Sequence, residues 1–122
     1  MEKDAVQYSL YYIASGADLF PHVKSSSMEF IVIPRGVVSP TNVTSFIPLH
    51  LEIFRGTTVV WINEDSVGHV IQSTDDMGKP IPPITSDVLR TNEEFSYTFE
   101  NPGIYHYYDP LDSWRMGTIT VW

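Results

Sequence analysis

The chain has 122 residues, 43% of them hydrophobic and 13% aromatic, enough for one well-filled core and too few for two ordinary domains. Seven Lys and Arg stand against 15 Asp and Glu, a formal charge of −8, which is the wrong sign for wrapping a nucleic-acid backbone or an anionic membrane and suits cationic partners or metal ions. Cysteine is absent, which excludes disulfides, thiolate zinc sites, iron–sulfur clusters, c-type haem attachment, thiol nucleophiles and any copper centre coloured by a thiolate.

The opening Met1-Glu2-Lys3-Asp4 lacks the basic start and apolar stretch of an export signal, and no apolar run reaches the roughly 18 residues that cross a bilayer. From there, short alternating segments rich in Val, Ile, Thr, Tyr and Phe predict strands at Val6–Ala14, Met28–Ile33, Leu49–Phe54, Thr57–Asn63, His69–Ser73, Glu93–Phe99, Gly103–Tyr108 and Thr118–Trp122. Pro34–Pro48 is interrupted by Val37, Val38, Val43, Phe46 and Ile47 and reads as a packed loop within a single domain spanning 1–122. Thr57–Asn63 would send Val59 and Trp61 to one face and Val60 and Ile62 to the other. Either an N-terminal extension and strand (1–27) covers the second face through Tyr8, Leu10 and Tyr12, or this is an ordinary buried central strand. Thr74–Pro83 carries Asp75-Asp76, Gly78, Pro80, Pro82 and Pro83 and reads as a loop rather than a central strand or a helix. Eight short strands with regular turn signals give an all-β domain, a sandwich or a small barrel.

Catalytic patterns are weak. Asp75-Asp76 and Glu93-Glu94 are sequence neighbours, and on a strand neighbours face opposite ways, so neither pair supplies a joint acid and base. Ser25-Ser26-Ser27 has no nucleophile elbow around it, and no phosphate-cradling glycine loop or His-Glu-x-x-His helix occurs. The chain reads as a non-enzyme. Asn42-Val43-Thr44 fits a glycosylation acceptor, which matters only after export. His22 and His50 have no metal-spaced partner nearby, and His106 falls on the opposite strand face from Tyr105, Tyr107 and Asp109.

The order of several pieces is specific: Ile33-Pro34-Arg35-Gly36, then Phe46-Ile47-Pro48, then the run from Gly56 through Trp61 to His69, and near the end Phe95–Phe99, Pro102–Tyr108 and Gly117–Val121. From about residue 28 to the C-terminus this resembles the cupredoxins, particularly the plastocyanin-like and amicyanin-like blue-copper proteins. The resemblance implies a Greek-key β-sandwich of about eight strands with a copper site at one end, one-electron transfer with a redox partner, and an extracytoplasmic setting, periplasmic or at the cell surface, with the signal or anchor absent from these 122 residues. In such proteins the last loop reads Tyr-Cys-x-x-His-x-x-Met. Here the same register gives Asp109, Asp112 and Arg115, while the first imidazole position is kept as His69; a one-residue shift would bring Met116 towards the axial position without restoring a thiolate.

Two readings of that end remain open. In one, His69, Asp109 and Asp112 form a non-blue copper site that binds or carries the metal; nitrogen and oxygen donors of this kind suit Cu(II), Zn(II) or Ni(II) and disfavour Cu(I). In the other, Arg115 pairs with Asp109 or Asp112 on the surface and takes the place of the ion, leaving a metal-free interaction domain, part of a larger membrane-bound redox complex. The arginine beside two carboxylates favours the second reading for the loop alone, but on the family context the expectation is the first, a non-blue copper site, with the metal-free domain as its alternative. Pro110, Leu111 and Trp114 crowd the same loop tip and are candidates for docking a redox or copper-handling protein, unless Trp114 folds back as a lid over the metal position.

Overall fold

The computed structural model describes residues 27–36 and 45–122. Among these, eight strands run in chain order: β1 Met28–Ile33, β2 His50–Ile53, β3 Thr58–Asn63, β4 Gln72–Thr74, β5 Pro80–Thr85, β6 Glu94–Thr98, β7 Gly103–Tyr108 and β8 Met116–Val121. They make a three-stranded sheet, β1-β3-β6, and a five-stranded sheet, β2-β8-β7-β4-β5. The pairs β1·β3 and β2·β8 are parallel, and the other pairings are antiparallel. The chain is an all-β Greek-key sandwich, with no helix among the described residues.

Alternation sets the core. Val59 and Trp61 of β3 point inward beside Ile31 and Ile33 of β1, and meet Tyr107 of β7 and Ile119 and Val121 of β8 from the other sheet. Trp61 is the hub, with ring centroids 5.4 Å from Tyr107, edge-on, and 5.7 Å from Phe95, spacings typical of favourable aromatic pairs. Gly117 is required by this packing: a Cβ there would overlap the Tyr107 ring and hydroxyl.

Two strands, Met28–Ile33 and Gly103–Tyr108, have the expected bounds. The stretch expected as a loop through Pro83 is corrected: Pro80–Thr85 is a strand, at the outer edge of the five-stranded sheet. Proline is tolerated there because an edge strand leaves half of its N–H groups unpaired. The strand expected at His69–Ser73 begins instead at Gln72. His69 pairs its backbone with Leu89 in an isolated bridge, and its side chain turns into the cluster described below. Val60 is buried although it faces away from the core. The expected strand Val6–Ala14, its contacts through Tyr8, Leu10 and Tyr12, His22, Ser25 and Ser26, and Asn42–Thr44 lie outside the described residues.

Candidate functional site

Beyond the ends of β1, β3 and β7, two connections come together. The first, between β3 and β4, is shaped by buried Asn63. Its amide donates to the carbonyls of Val67 and Leu89, both at 2.8 Å, and its Oδ1 accepts the Asp65 N–H at 2.8 Å. That fold of the backbone turns Asp65 and His69, four residues apart, towards each other. The second connection, between β7 and β8, is closed by a chain of backbone bonds: Asp109 N–H to the Arg115 carbonyl, Asp112 N–H to the Asp109 carbonyl and Arg115 N–H to the Asp112 carbonyl.

Four buried ionisable side chains meet where these connections touch: Asp65, His69, Asp109 and Arg115, none more than 2% exposed. His69 Nε2 lies 2.8 Å from Asp65 Oδ2, and His69 Nδ1 is bonded to Asp109 Oδ2. The remaining oxygens are also occupied. Asp65 Oδ1 accepts the N–H groups of Gly36 and Ser66, both at 2.7 Å, and Asp109 Oδ1 accepts those of Val70 at 3.2 Å and Leu111 at 2.9 Å. With both carboxyl groups ionised, each is an acceptor on both oxygens, and an imidazole bonded to both of them donates from both nitrogens. Only the imidazolium can do that.

The proton balance agrees. Burial is the largest influence on His69 and works against its charge, but the bonds to Asp109 and Asp65 outweigh it and raise the pKa above the ordinary 6.5. For Asp65, burial pushes upward most, yet the bonds from His69 and from the Gly36 and Ser66 backbone together hold it below the ordinary 3.8.

Arg115 completes the cluster. Its Nε donates to Asp112 Oδ2 at 3.0 Å, one terminal nitrogen donates to the Ser45 carbonyl at 2.8 Å, and the other reaches the Pro34 carbonyl at 3.4 Å and Asp65 Oδ2 at 3.5 Å. The expectation of a surface Arg115 pair is corrected, because the guanidinium is fully buried. It ties three separate segments together, and the Asp112 carboxylate provides only one of its contacts.

The structure brings His69 and Asp109 into contact and directs Asp112 to Arg115 instead. Among the described residues no three His, Asp or Glu side chains are grouped so as to hold a metal ion. Asp65 was not singled out in the sequence; its position four residues before His69, within a short turn between strands, is the signal that could have found it. At the loop tip Pro110 is exposed, Leu111 is 60% exposed and Trp114 is half-buried, its ring 5.0 Å from the Arg115 guanidinium carbon.

Comparison with known proteins places this geometry in context. A purple cupredoxin from Nitrosopumilus maritimus is 45% identical, with a TM-score of 0.74 over 77% of this chain and 99% of that one. The chain belongs to the cupredoxin family. A single-site variant of amicyanin in its Cu(I) state is similar in fold, with 17% identity and a TM-score of 0.61 over 83% of this chain and 87% of that one. A copper-containing nitrite reductase from Thermus scotoductus matches at 26% identity and a TM-score of 0.61, over 76% of this chain and only 22% of the reductase. No family model and no curated protein matches. Against this background the end cluster departs from the donor set of blue copper. A thiolate is lacking, the one imidazole has both nitrogens engaged by carboxylates, and a fixed cation stands among the donors. These residues do not fit a blue-copper ion.

Proposed function

We propose that this chain is a cupredoxin domain that works without a metal at its inherited site, as an interaction module rather than an electron carrier or an enzyme. The observation that carries this reading is the enclosure of His69 between Asp65 and Asp109, with the buried Arg115 guanidinium 3.5 Å from Asp65. To take a metal there, His69 would have to lose its proton and one of its two carboxylate bonds. A second cation would then enter beside a buried guanidinium, a repulsion that is costly at low dielectric. The cluster crosslinks the β3–β4 and β7–β8 connections through His69–Asp109 and Arg115–Asp65 contacts, with no ion required. The exposed Pro110 and Leu111, with Trp114 laid over Arg115, form the surface offered to a partner, a redox or copper-handling protein outside the cytoplasm.

The second reading, a non-blue copper site on His69, Asp109 and Asp112, is favoured by family membership and by the contact between His69 and Asp109. The two are separated by titrating Cu(II) into chelator-stripped protein and into His69→Gln while following the histidine ring signals and the melting temperature. No metal-induced change at the His69 ring and no His69-dependent rise in Tm support the metal-free reading. Stoichiometric binding that perturbs the His69 ring and is lost in His69→Gln overturns it.

A further inference from the structure

The histidines that sequence spacing leaves without partners, His50 and His106, are brought onto one row by the sheet. His50 of β2 pairs with Thr118 of β8, and His106 of β7 pairs with the same Thr118 from the other side. Residues paired across a sheet project to the same face, and here that is the outer one: Gly117, Ile119 and Val121 of β8 are buried, while Met116, Thr118 and Thr120 alternate with them towards solvent. The two histidines therefore flank a small hydroxyl residue, two strand spacings or about 10 Å apart at Cα. Both histidines line the same groove as Thr118.

Three further observations bear on this row. It lies in a groove of about 630 Å³, whose lining includes His50, His106, Thr118 and, at the β4–β5 turn, Asp75 and Asp76. The adjacent acidic turn and the net charge of −8 make the groove attractive to cations. His50 is exposed and His106 partly so, and neither ring is hydrogen-bonded to any described residue. Among the described residues their nitrogens are uncommitted, unlike those of His69. Asp75 Oδ1 already accepts the Met77 and Lys79 N–H groups at 2.9 and 2.8 Å, and among the described residues the acids and histidines form no ready-made group of three or more ligands, so the acids are invoked for their field.

We propose that the outer face of the five-stranded sheet is a metal site in its own right, taking a borderline divalent ion, Cu(II) or Zn(II), on the imidazoles of His50 and His106, with water completing the shell. Imidazole is the donor these ions share, and two on a rigid sheet need little reordering to bind. The site is separate from the buried end cluster and does not depend on how that cluster is read.

The test uses the whole chain with Zn(II) as the probe, following all four histidine rings by NMR, together with His50→Ala, His106→Ala and His69→Gln. The expected result is one zinc per chain that shifts the His50 and His106 rings together and leaves His22 and His69 unmoved. Affinity should fall at least tenfold in either alanine variant and stay unchanged in His69→Gln. Both alanine positions lie on the outer face, and an unchanged Tm without metal verifies that the fold is kept. Affinity unaltered in both alanine variants, or zinc shifting only one of the two rings, overturns the proposal. Zinc binding that disappears in His69→Gln but survives in His50→Ala also overturns it, and would count separately against the metal-free reading of the end cluster.

Discussion

The same residue type sits in two contrasting settings within this fold. At the end of the sandwich His69 is buried, each nitrogen faces a carboxylate, and a guanidinium stands within 3.5 Å of one of those carboxylates. On the outer face of the five-stranded sheet His50 and His106 share a row across Thr118, and neither ring has a hydrogen-bond partner among the described residues. The position inherited from a copper-binding family is the one where the histidine is saturated, and the positions with no motif around them are the ones where it is available. Capacity for a ligand follows from which partners the fold has already placed at the donor atoms, and a matching position in the chain does not guarantee it.

The largest expected effect breaks the saturated side. Arg115→Met removes a buried cation that reaches Asp112, Asp65 and two backbone carbonyls. Stranding those groups should cost about 3–5 kcal/mol, measured by urea unfolding, whereas Thr118→Ala on the outer face should stay within about 0.5 kcal/mol. A loss below about 1 kcal/mol for Arg115→Met would show that the cluster is not what holds the loop. Next in size is Gly117→Ala, one residue from Thr118 and on the opposite face of β8. Its Cβ would strike the Tyr107 ring, and overpacking of this kind should cost about 1–3 kcal/mol.

The smallest effect is a pH dependence, and its sign sharpens the contrast. The pKa of His69 is raised in the fold, so its contribution is fully present below the unfolded value of 6.5 and is lost as pH rises through the folded value. Asp65 is lowered, so its contribution is present above 3.8 and is lost as pH falls through its folded value. Stability should hold between these limits and decline on the alkaline side, by a slope approaching one proton. Unfolding curves of His69→Gln should lack that alkaline decline, and those of His50→Ala should retain it. A decline of equal slope in His69→Gln would remove the imidazolium from the account.

The fold was largely legible in the sequence. Alternation in β3 and β7 correctly grouped Val59 with Trp61 and set His106 on the face opposite Tyr107, because a period of two in a sheet leaves little freedom; which face is the core was settled by the packing. The edge strand Pro80–Thr85 was hidden because prolines argue against a strand unless its place at the rim is known, and that place is set by the pairing with β4 rather than by anything within the segment. The end cluster was half legible. Asp109 and Arg115 stood out at the positions of the last loop, whereas Asp65 acquires its meaning from Asn63, whose side chain bends the intervening backbone. The row His50–Thr118–His106 has no local signature, since it joins three strands through register alone.

The prolines of β5 have one more consequence. Pro80, Pro82 and Pro83 lie on the open rim of the larger sheet, where an ordinary strand would present a ladder of donors to any extended chain that drifted past. Proline nitrogens carry no hydrogen, and Pro82 and Pro83, being adjacent, take a donor from each side of the strand, so the open rim offers fewer donors and is a poorer template for edge-to-edge polymerisation. The chain can thus be held at high concentration with less tendency for its sheets to grow into one another along β5.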